Sequence, residues 1–391
     1  MKKIISFLAA AALVFGTGAA LPEGAVRLDS GILAGAESYL AYGDYKYTVL
    51  EDGTVEICVY IGSDEEVIIP ATLNGKKVTA LADSAFSDIN SGNQNQSLNG
   101  IKKIVVPDSV TKVGMYAFAN LRNLKEITFP DTITELPSLE EDNAWGAFEG
   151  CTSLEKVRLP KNLKKIGNKA FYRCSSLKEI ELPETITDIE WSAFAFCTSL
   201  ESIKIPQNVK AIEQDAFYEC VKLKSIDIPE SVTSIGEWCF GRCESLSEVT
   251  LHEGLKTIEP AAFKVDNALK SITVPKSVEI IDSYSLGCSW DSENEEEIKI
   301  DGFTIYGYSG TAAEEYANKN GFTFIPLDAE PGDADGNGDV TVDDVLLIQQ
   351  KIAGWDVKID EAAADLDGDG KLTVSDALIV QQIIAGWKIA L

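Results

Sequence analysis

A segment of 23 residues recurs through the middle of this 391-residue chain. The stretch at residues 177–197 returns at 200–220 and again at 223–243. Three residue types keep the same step: Pro160, Pro183, Pro206 and Pro229; Phe148, Phe171, Phe194, Phe217, Phe240 and Phe263; and Cys151, Cys174, Cys197, Cys220 and Cys243. A fixed period of this length predicts a solenoid, because one unit alone cannot bury its apolar face.

The pattern inside one unit predicts how the coil is built. Residues 177–182 alternate like a short strand with its apolar side inward, and Pro183 ends it. Ile186 and Ile189 turn inward again, and Phe194 is placed on a short helical turn. The unit resembles the leucine-rich repeat, in the BspA-like, Treponema-type variety that ends in Ala-Phe-x-x-Cys. The resemblance implies a repeat solenoid, β-rich with short helical turns.

The regular repeats span residues 101–288, and both ends read as caps. Residues 41–100 form an N-terminal cap and a degenerate repeat, in which the Asp52-Gly53 pair predicts a β-hairpin. Residues 289–327 form a C-terminal cap whose helix is expected at about residues 311–320. Caps are needed because the outermost coils would otherwise expose their apolar faces.

The first forty residues read as a secretion signal and a leader. Two lysines precede an apolar run at residues 4–15, and Gly18 and Ala20 stand before the expected cut. We therefore assign residues 1–20 to a signal peptide and 21–40 to a leader. The apolar run is too short to span a bilayer, so we expect a secreted protein with no membrane insertion.

Acidic residues outnumber basic ones by 62 to 34, which excludes some partners. A nucleic acid or an anionic membrane requires a basic face, so neither is expected. His252 is the only histidine, and catalytic triads built on histidine would depend on this one residue.

The eight cysteines of this chain allow three interpretations. Five stand at the same place in successive coils, where parallel side chains rarely meet disulfide geometry. A zinc site is also disfavoured, because the set has no His or Cys-x-x-Cys partner. We expect reduced thiols that pack as small apolar groups. Cys239 and Cys243 are the pair that would be examined first for a bridge.

Charged residues predicted on the outward side of the strands alternate in sign between coils. They form two columns: Arg158, Glu181, Lys204 and Asp227; and Lys103, Glu126, Lys156 and Glu179. Opposite charges on stacked strands fix the register, and a protein-binding face is the functional alternative.

Other features of the repeats also leave two interpretations open. Trp145, Trp191 and Trp238, with Tyr172 and Tyr218 nearby, either pack between turns or form a platform for glycans. Insertions at residues 87–100 and 137–143 and an acidic run at 289–297 are either tolerated loops or a binding rim.

The most specific chemistry follows a linker at residues 328–332. Two twelve-residue loops, 32 residues apart, place oxygen-bearing side chains at calcium-loop positions 1, 3, 5, 9 and 12, with a residue at position 7 that ligates through its backbone carbonyl. The predicted ligands are Asp333, Asp335, Asn337, Asp339, Thr341 and Asp344 in the first loop, and Asp365, Asp367, Asp369, Lys371, Thr373 and Asp376 in the second. Gly338 and Gly370 take the sharp turn. We therefore expect two calcium ions.

These loops differ from ordinary EF-hands. An aspartate replaces glutamate at position 12, and no helix is expected before either loop, since Pro331 and Gly332 abut the first. The segments 333–355 and 365–387 agree at 14 of 23 places. This duplicated pattern resembles the dockerin module of cellulosomes. The resemblance covers about residues 331–391, and we assign residues 333–391 to the dockerin.

The resemblance to dockerins implies a calcium-dependent partner, the cohesin module of a scaffold protein (scaffoldin). It also implies which residues contact that partner: Val342, Asp343, Gln349 and Gln350 in one half, and Val374, Ser375, Gln381 and Gln382 in the other. Because the halves are near-copies, either could face the same cohesin.

Together, these features predict a secreted, non-catalytic component of a cellulosome-type assembly. The dockerin would attach it to a scaffold at the cell surface, and the solenoid would recognise a protein or surface ligand. The alternative is a dockerin-borne polysaccharide-degrading enzyme or carbohydrate-binding protein. The repeats and caps leave no room for a separate catalytic domain.

Overall fold

The structure is a computed structural model that describes residues 39–87, 96–136, 146–291, 294–328 and 330–388. The predicted signal peptide, the insertion at residues 137–143 and Trp145 lie outside the described residues. No helix in the described ranges is long and apolar enough to cross a bilayer.

The described residues form short strands joined by turns, with helices only near the C-terminus. The strands are β1 Leu40–Tyr42, β2 Tyr45–Val49, β3 Val55–Tyr60, β4 Glu66–Ile68, β5 Thr72–Leu73, β6 Lys76–Leu81, β7 Lys103–Val105, β8 Lys112–Val113, β9 Glu126–Thr128, β10 Lys156–Arg158, β11 Lys165–Ile166, β12 Asp188–Ile189, β13 Ala211–Ile212, β14 Ser225–Ile228, β15 Ser234–Ile235, β16 Glu248–Leu251, β17 Thr257–Ile258, β18 Ser271–Thr273, β19 Ile280–Ile281, β20 Cys288–Asp291, β21 Glu296–Lys299, β22 Thr304–Gly307 and β23 Thr323–Pro326. The helices are α1 Ala312–Asn320, α2 Val342–Ile352, α3 Glu361–Ala364 and α4 Val374–Ile384, and a 3-10 helix spans Gln96–Gly100.

The coils stack so that parallel strands line two sides of the solenoid. One side carries the order β10-β9-β7-β4, then the pair β14-β16, then β18-β22-β23. The other side carries the order β11-β12-β13-β15-β17-β19. Equivalent residues pair from coil to coil, as Ile189 pairs with Ile212 and Ile212 with Ile235. The repeat solenoid predicted from the 23-residue period is confirmed.

The prediction of a strand at residues 177–182 is wrong. These residues form no strand, although Ile180 and Leu182 are buried as the alternation predicts. The regular strand pairing on this side stops at β10 and resumes at β14, although the Glu201 N–H still donates to the Lys178 carbonyl of the preceding coil at 2.9 Å. The apolar pattern thus sets which side chains face inward without ensuring a regular ladder between neighbouring backbones.

The third side of each coil is a run of tight turns around the repeated phenylalanine. Around Phe194, the Ala195 N–H donates to the Ser192 carbonyl and the Cys197 N–H to the Phe194 carbonyl, which are turn contacts of the i to i+3 kind. Ser192 and Phe196 have left-handed φ values of 53° and 62°. The short turn predicted here is therefore closed by left-handed residues, and each is held by a hydrogen bond to the next coil.

The repeated phenylalanines stack along the core of the solenoid. The rings of Phe171, Phe194, Phe217 and Phe240 are fully buried, and neighbouring ring centres lie 5.2–5.3 Å apart. Their interplanar angles are 6° or less, so the rings lie nearly parallel. Stacking of this kind adds to the free energy gained by burying the rings.

The repeated cysteines form a second column beside these rings. The thiol of Cys197 donates to the Phe171 carbonyl at 3.2 Å, and that of Cys220 to the Phe194 carbonyl at 3.3 Å. Burial raises the pKa of the Cys151 thiol to about 12. Each sulfur of the column therefore points at a backbone oxygen and is poorly ionised.

We expect thiol titration of the denatured, unreduced protein to report most of the eight cysteines as reactive thiols. The reason is that the column directs each thiol to a carbonyl oxygen, whereas a disulfide needs two sulfurs in specific geometry. Fewer than three reactive thiols would show that the column is bridged.

Asp266 occupies the place that cysteine holds in the preceding coil. It is fully buried, and one carboxyl oxygen accepts from the Cys243 N–H at 2.8 Å. Its other oxygen has no hydrogen-bond partner among the described residues. Burial raises the pKa of Asp266 well above the usual carboxyl range.

Asp266→Cys is expected to stabilise the folded protein at neutral pH by about 1–3 kcal/mol, because it removes an unsatisfied buried oxygen. The raised folded-state pKa gives the sign of the pH effect. The wild type keeps its full stability below the usual carboxyl pKa, and loses stability as pH rises toward the folded-state pKa.

Thermal unfolding between pH 4 and pH 8 measures both effects for the wild type, Asp266→Cys and Asp266→Asn. Both variants should lack this part of the pH slope. Cys243→Asp is the matched reverse change. It should introduce a second buried carboxyl and so make the pH dependence of stability steeper. An unchanged slope in both Asp266 variants would contradict the assignment.

The hairpin and the helix expected at the two ends of the repeats are both present. The hairpin around Asp52 and Gly53 is present, with β2 antiparallel to β3. At the other end, α1 lies between β22 and β23, and β22 extends the sheet of β18. Residues 289–291 and 296–297 of the acidic run lie in the antiparallel pair β20 and β21. This pair packs onto the solenoid, since Glu297 forms an ion pair with the nearly buried Lys264.

The C-terminal residues have a small core of their own. Its buried members are Ala334, Val345, Ile348, Ala364, Leu366, Ala377 and Val380. The core lies mainly between α2 and α4. A core of this size stabilises a fold only weakly, so a further source of stability is expected.

Candidate functional site

The first acidic loop gathers three carboxylates. Ligand-capable oxygens of Asp333, Asp335 and Asp344 all lie within 4.8 Å of one another. Asp333 is buried and accepts hydrogen bonds from the backbone N–H groups of Gly336 at 2.9 Å and Gly338 at 2.8 Å. Gly338 has a φ of 89°, which lets the loop wrap around Asp333.

The second loop gathers a different set of three. Oxygens of Asp365, Asp367 and Asp369 lie within 4.8 Å of one another. The Gly370 N–H donates to Asp365 at 2.8 Å, as its counterpart does in the first loop. The other oxygen of Asp365 is buried and has no hydrogen-bond partner among the described residues.

The structure brings together only some of the twelve predicted ligands. Asp376 lies outside the cluster of the second loop, and its oxygens accept from the backbone N–H groups of Leu366 and Thr373. Burial opposes ionisation of Asp376, but these hydrogen bonds lower its pKa below the usual range. Asp344, its counterpart, makes the same kind of contacts and also joins its cluster.

The remaining predicted ligands have defined local contacts. The side chain of Asn337 accepts from the Asp339 N–H at 2.8 Å, and that of Asp369 from the Lys371 N–H at 2.9 Å. Thr341 and Thr373 begin α2 and α4: each accepts from a backbone N–H of its helix and shares a capping box with Asp344 or Asp376. These caps fix each helix directly after its loop.

The donor set fits calcium. Every ligand-capable atom in the two clusters is a carboxylate oxygen, which suits a hard divalent cation. Burial raises the pKa of Asp335, and the neighbouring charges of Asp344 and Asp333 act in the same direction. The buried oxygen of Asp365 that has no hydrogen-bond partner also indicates a cation site. A buried acceptor without a donor is costly unless a cation lies beside it.

Contrary to the expectation from sequence, a helix does precede one loop. The four-residue helix α3 ends directly before Asp365, and the side chain of Asp360 caps it. The first loop has no such helix. The signal missed was Asp360 and Glu361 followed by three alanines, a strong helix start in a very short segment.

The two helices present equivalent exposed faces. Each of the fourteen positions from 342 to 355 has the same degree of burial as the position 32 residues later. Val342 and Val374 are 68% and 70% exposed. Of the other residues predicted to contact a cohesin, Asp343, Gln349, Ser375 and Gln381 are exposed, and Gln350 and Gln382 are half-buried.

Sequence reasoning missed several exposed apolar residues on these helices and just after them. They include Leu346 and Leu378, 51% and 52% exposed, and, three residues beyond the helix ends, Trp355 and Trp387, 61% and 65% exposed. The sequence feature that could have revealed them is that large apolar residues repeat in both halves at positions that the helical period places outside the core. Exposed side chains of this size are typical of an interaction surface.

Two differences in charge break the symmetry of the halves. Lys351 forms an ion pair with Glu361 at 2.9 Å, whereas Ile383 stands at the equivalent place in α4. Asp343 likewise corresponds to Ser375. The two faces therefore share their apolar residues and differ in charge.

The charged columns of the solenoid form fewer direct pairs than the sequence suggests. Lys103 contacts Glu126 at 3.5 Å as predicted. Arg158 and Lys204 contact Asp131 and Glu184 instead of the neighbours in their column. All these pairs are solvent-exposed, so each contributes little to stability.

Trp191 and Trp238 each lie beneath a lysine. The Lys169 ammonium is 4.5 Å from the Trp191 ring centre, and that of Lys264 is 5.0 Å from the Trp238 ring centre. Tyr218 also packs edge-to-face against Trp238. These tryptophan rings are therefore engaged in cation–π contacts and ring packing within the solenoid. This favours the interpretation that they pack between turns over the interpretation that they form a platform for glycans.

Two family models match the chain. A BspA type leucine rich repeat region matches in six copies over residues 87–220 and 210–301, and a dockerin type I domain matches residues 331–385. The repeats cover more than half of the chain, which therefore belongs to the BspA type leucine-rich repeat family. It carries a dockerin type I domain after its repeats.

Solved structures with similar folds include a leucine-rich repeat protein of T. pallidum, at 24% identity over 58% of this chain and 88% of that one, with a TM-score of 0.40. A leucine-rich repeat protein from Bacteroides ovatus matches at 22% identity over 73% and 99%, with a TM-score of 0.36. A leucine rich cell surface protein from Faecalibacterium prausnitzii matches at 21% identity over 75% and 96%, with a TM-score of 0.33. No curated protein matches the chain.

The two families define the class of protein. A dockerin domain implies cohesin binding and association with a cellulosome, and leucine-rich repeats imply protein interaction. Both kinds of domain are typical of extracellular or cell-surface proteins, and neither is catalytic. Dockerin type I domains bind calcium, and both acidic clusters lie within the matched residues.

Proposed function

We propose that this chain is a secreted, non-catalytic component of a cellulosome-type assembly. Its dockerin, residues 333–391, attaches it to a scaffoldin cohesin at the cell surface in a calcium-dependent way. Its solenoid recognises a protein or surface ligand near the polysaccharide that the assembly degrades. The supporting observation is the pair of acidic loops, each followed by a capped helix with the same exposed face.

Two calcium ions occupy the dockerin in this proposal, one in each loop. Asp333, Asp335 and Asp344 hold the first. Asp365, Asp367 and Asp369 hold the second, and Asp376 holds the loop in place through backbone N–H groups. Bound calcium supplies positive charge and fixes the loop geometry; the chain supplies the oxygens and the glycine turns.

The cohesin contacts in this proposal lie on the exposed faces of α2 and α4. Val342, Asp343, Gln349 and Gln350 form one face, with Leu346 as an apolar centre. Val374, Ser375, Gln381, Gln382 and Leu378 form the other. Large apolar side chains surrounded by polar ones are typical of the residues that dominate binding energy.

The proposal is tested by binding full-length protein to immobilised type I cohesins in calcium and in EDTA. We expect binding in calcium only. A chain that ends at residue 328 is the matched control and should not bind. Calcium-independent binding, or equal binding of the truncated chain, would contradict the proposal.

A further inference from the structure

The sheet on the second side of the solenoid ends in a strand that is paired along one edge. Its order runs from β11 to β19, and within the described residues β19 pairs only with β17. The C-terminal cap extends the other side of the solenoid, where β22 pairs with β18. On the second side the cap supplies the helix α1, so no strand of the described residues lies along the outer edge of β19.

The register shows which backbone groups lie at this edge. The Glu279 N–H donates to the Lys256 carbonyl, and the Asp282 N–H to the Ile258 carbonyl, both at 2.9 Å. One coil further along, the equivalent carbonyls are those of Glu279 and Ile281. Neither accepts a hydrogen bond from any described residue. An exposed strand edge of this kind is a template for an added strand.

A groove lies directly beside this edge. It has a volume of about 400 Å³, between β19 and the turn after it on one wall and α1 on the other. Ile280 and Tyr284, 51% and 47% exposed, supply apolar surface. The size is within the range of sites that bind a few residues of a peptide or a small ligand.

The rim of the groove is acidic. Glu279, Asp282 and Glu315 line it, against a single lysine, Lys319. Glu279 also contacts Lys256 at 2.7 Å. An occupant with positive side chains complements this rim, and electrostatic complementarity of this kind selects partners.

We propose that this groove binds an extended, lysine- or arginine-bearing peptide segment of a partner protein, which adds as a strand to β19. Backbone N–H groups of the peptide donate to the carbonyls of Glu279 and Ile281, and alternate side chains contact Ile280 or the acidic rim. The proposal rests on the recognition role proposed for the solenoid, and it places the ligand at the C-terminal end of the repeats.

The test uses a fluorescent heptapeptide of alternating lysine and valine, with fluorescence anisotropy on the full-length protein in calcium. A glutamate-for-lysine peptide and peptides N-methylated on alternate residues are the matched probes. N-methylation removes the N–H donors that the free carbonyls require. We expect at least tenfold weaker binding of the glutamate peptide and of one N-methylated register, and little change in the other register.

The variants address the rim and the apolar wall separately. Asp282→Asn with Glu315→Gln, and Ile280→Ser, should each weaken binding of the lysine peptide at least tenfold. Glu244→Gln with Glu248→Gln, exposed acids away from the groove, should not. Cohesin binding is measured on every variant and should not change, so a failure here is distinguished from a failure of the dockerin proposal.

Three results would overturn this assignment. The first is equal binding of the lysine and glutamate peptides. The second is binding that ignores N-methylation in both registers or is absent up to millimolar concentration. The third is a dimer, seen by sedimentation, that the Ile280→Ser variant dissociates, because the occupant would then be a second copy of this chain.

Discussion

Chelation of calcium is expected to unfold the C-terminal domain and abolish cohesin binding while the solenoid stays folded. Asp333 and Asp344 bring two buried carboxylates into the first cluster, and no lysine or arginine pairs with them in the described residues. Without a cation their mutual repulsion opposes folding, and the core beside them is small, with seven buried apolar residues in the described part of the chain. Calcium at a thousandfold excess over its dissociation constant adds about 4 kcal/mol, comparable to the stability of such a core.

Calorimetry of the full chain with and without EDTA measures whether the C-terminal domain unfolds, because the two domains should give separate thermal transitions. Asp333→Ala with Asp365→Ala should mimic EDTA in the presence of calcium. Asp343→Ala is the matched control, since Asp343 is exposed and lies outside the cluster. A domain transition that neither EDTA nor the double variant shifts would contradict a structural role for calcium.

The sequence predicts the solenoid well because one pattern is repeated in register. A buried phenylalanine every 23 residues leaves few other ways to stack the coils, and the rings do lie 5.2–5.3 Å apart. The Asp52-Gly53 hairpin and the helix before Gly321 are local signals of turn and helix end, and both are present.

The backbone of the turns could not be predicted from residue preferences. Val265 adopts a φ of 67°, a conformation that a β-branched residue strongly disfavours. Its N–H donates to the Cys288 carbonyl of the next coil. Contacts between coils therefore impose the left-handed residue, and no glycine marks the position in the sequence.

The acidic loops were predictable because calcium loops have fixed spacing and duplicated sequence. The role of Asp376 was harder, since loop position 12 alone does not tell whether a carboxylate faces the cluster or the backbone. Leu346 and Trp355 were overlooked for a related reason: an apolar residue near a helix can be core or surface, and only the packed structure decides.

The symmetry of α2 and α4 predicts how substitutions on their exposed faces change the affinity for cohesin. Val342 and Val374 stand at the first helical position of the two halves and are almost equally exposed. If the module docks in two orientations related by a half-turn, Val342→Asp removes one and leaves the other. Losing one of two equal modes halves the affinity, a cost of only about 0.4 kcal/mol.

The double variant Val342→Asp with Val374→Asp should lose several kcal/mol. In either orientation it places an unpaired carboxylate in the interface, and burying such a charge costs about 3–5 kcal/mol. An aspartate in the first turn of a helix is favourable, so the substitutions should not unfold the module. Lys358→Asp introduces a similar charge change on an exposed residue between the halves and is the matched control.

Calorimetric titration of the two single variants and the double variant against one cohesin decides between the one-mode and two-mode models. The structure also predicts the direction of any inequality. Asp343 and the Lys351–Glu361 pair give the first face charges that the second lacks. A cohesin with a basic surface should therefore prefer the first face, and Val342→Asp should then cost more than Val374→Asp. If one single variant loses as much affinity as the double, only one face binds and the two-mode model is wrong.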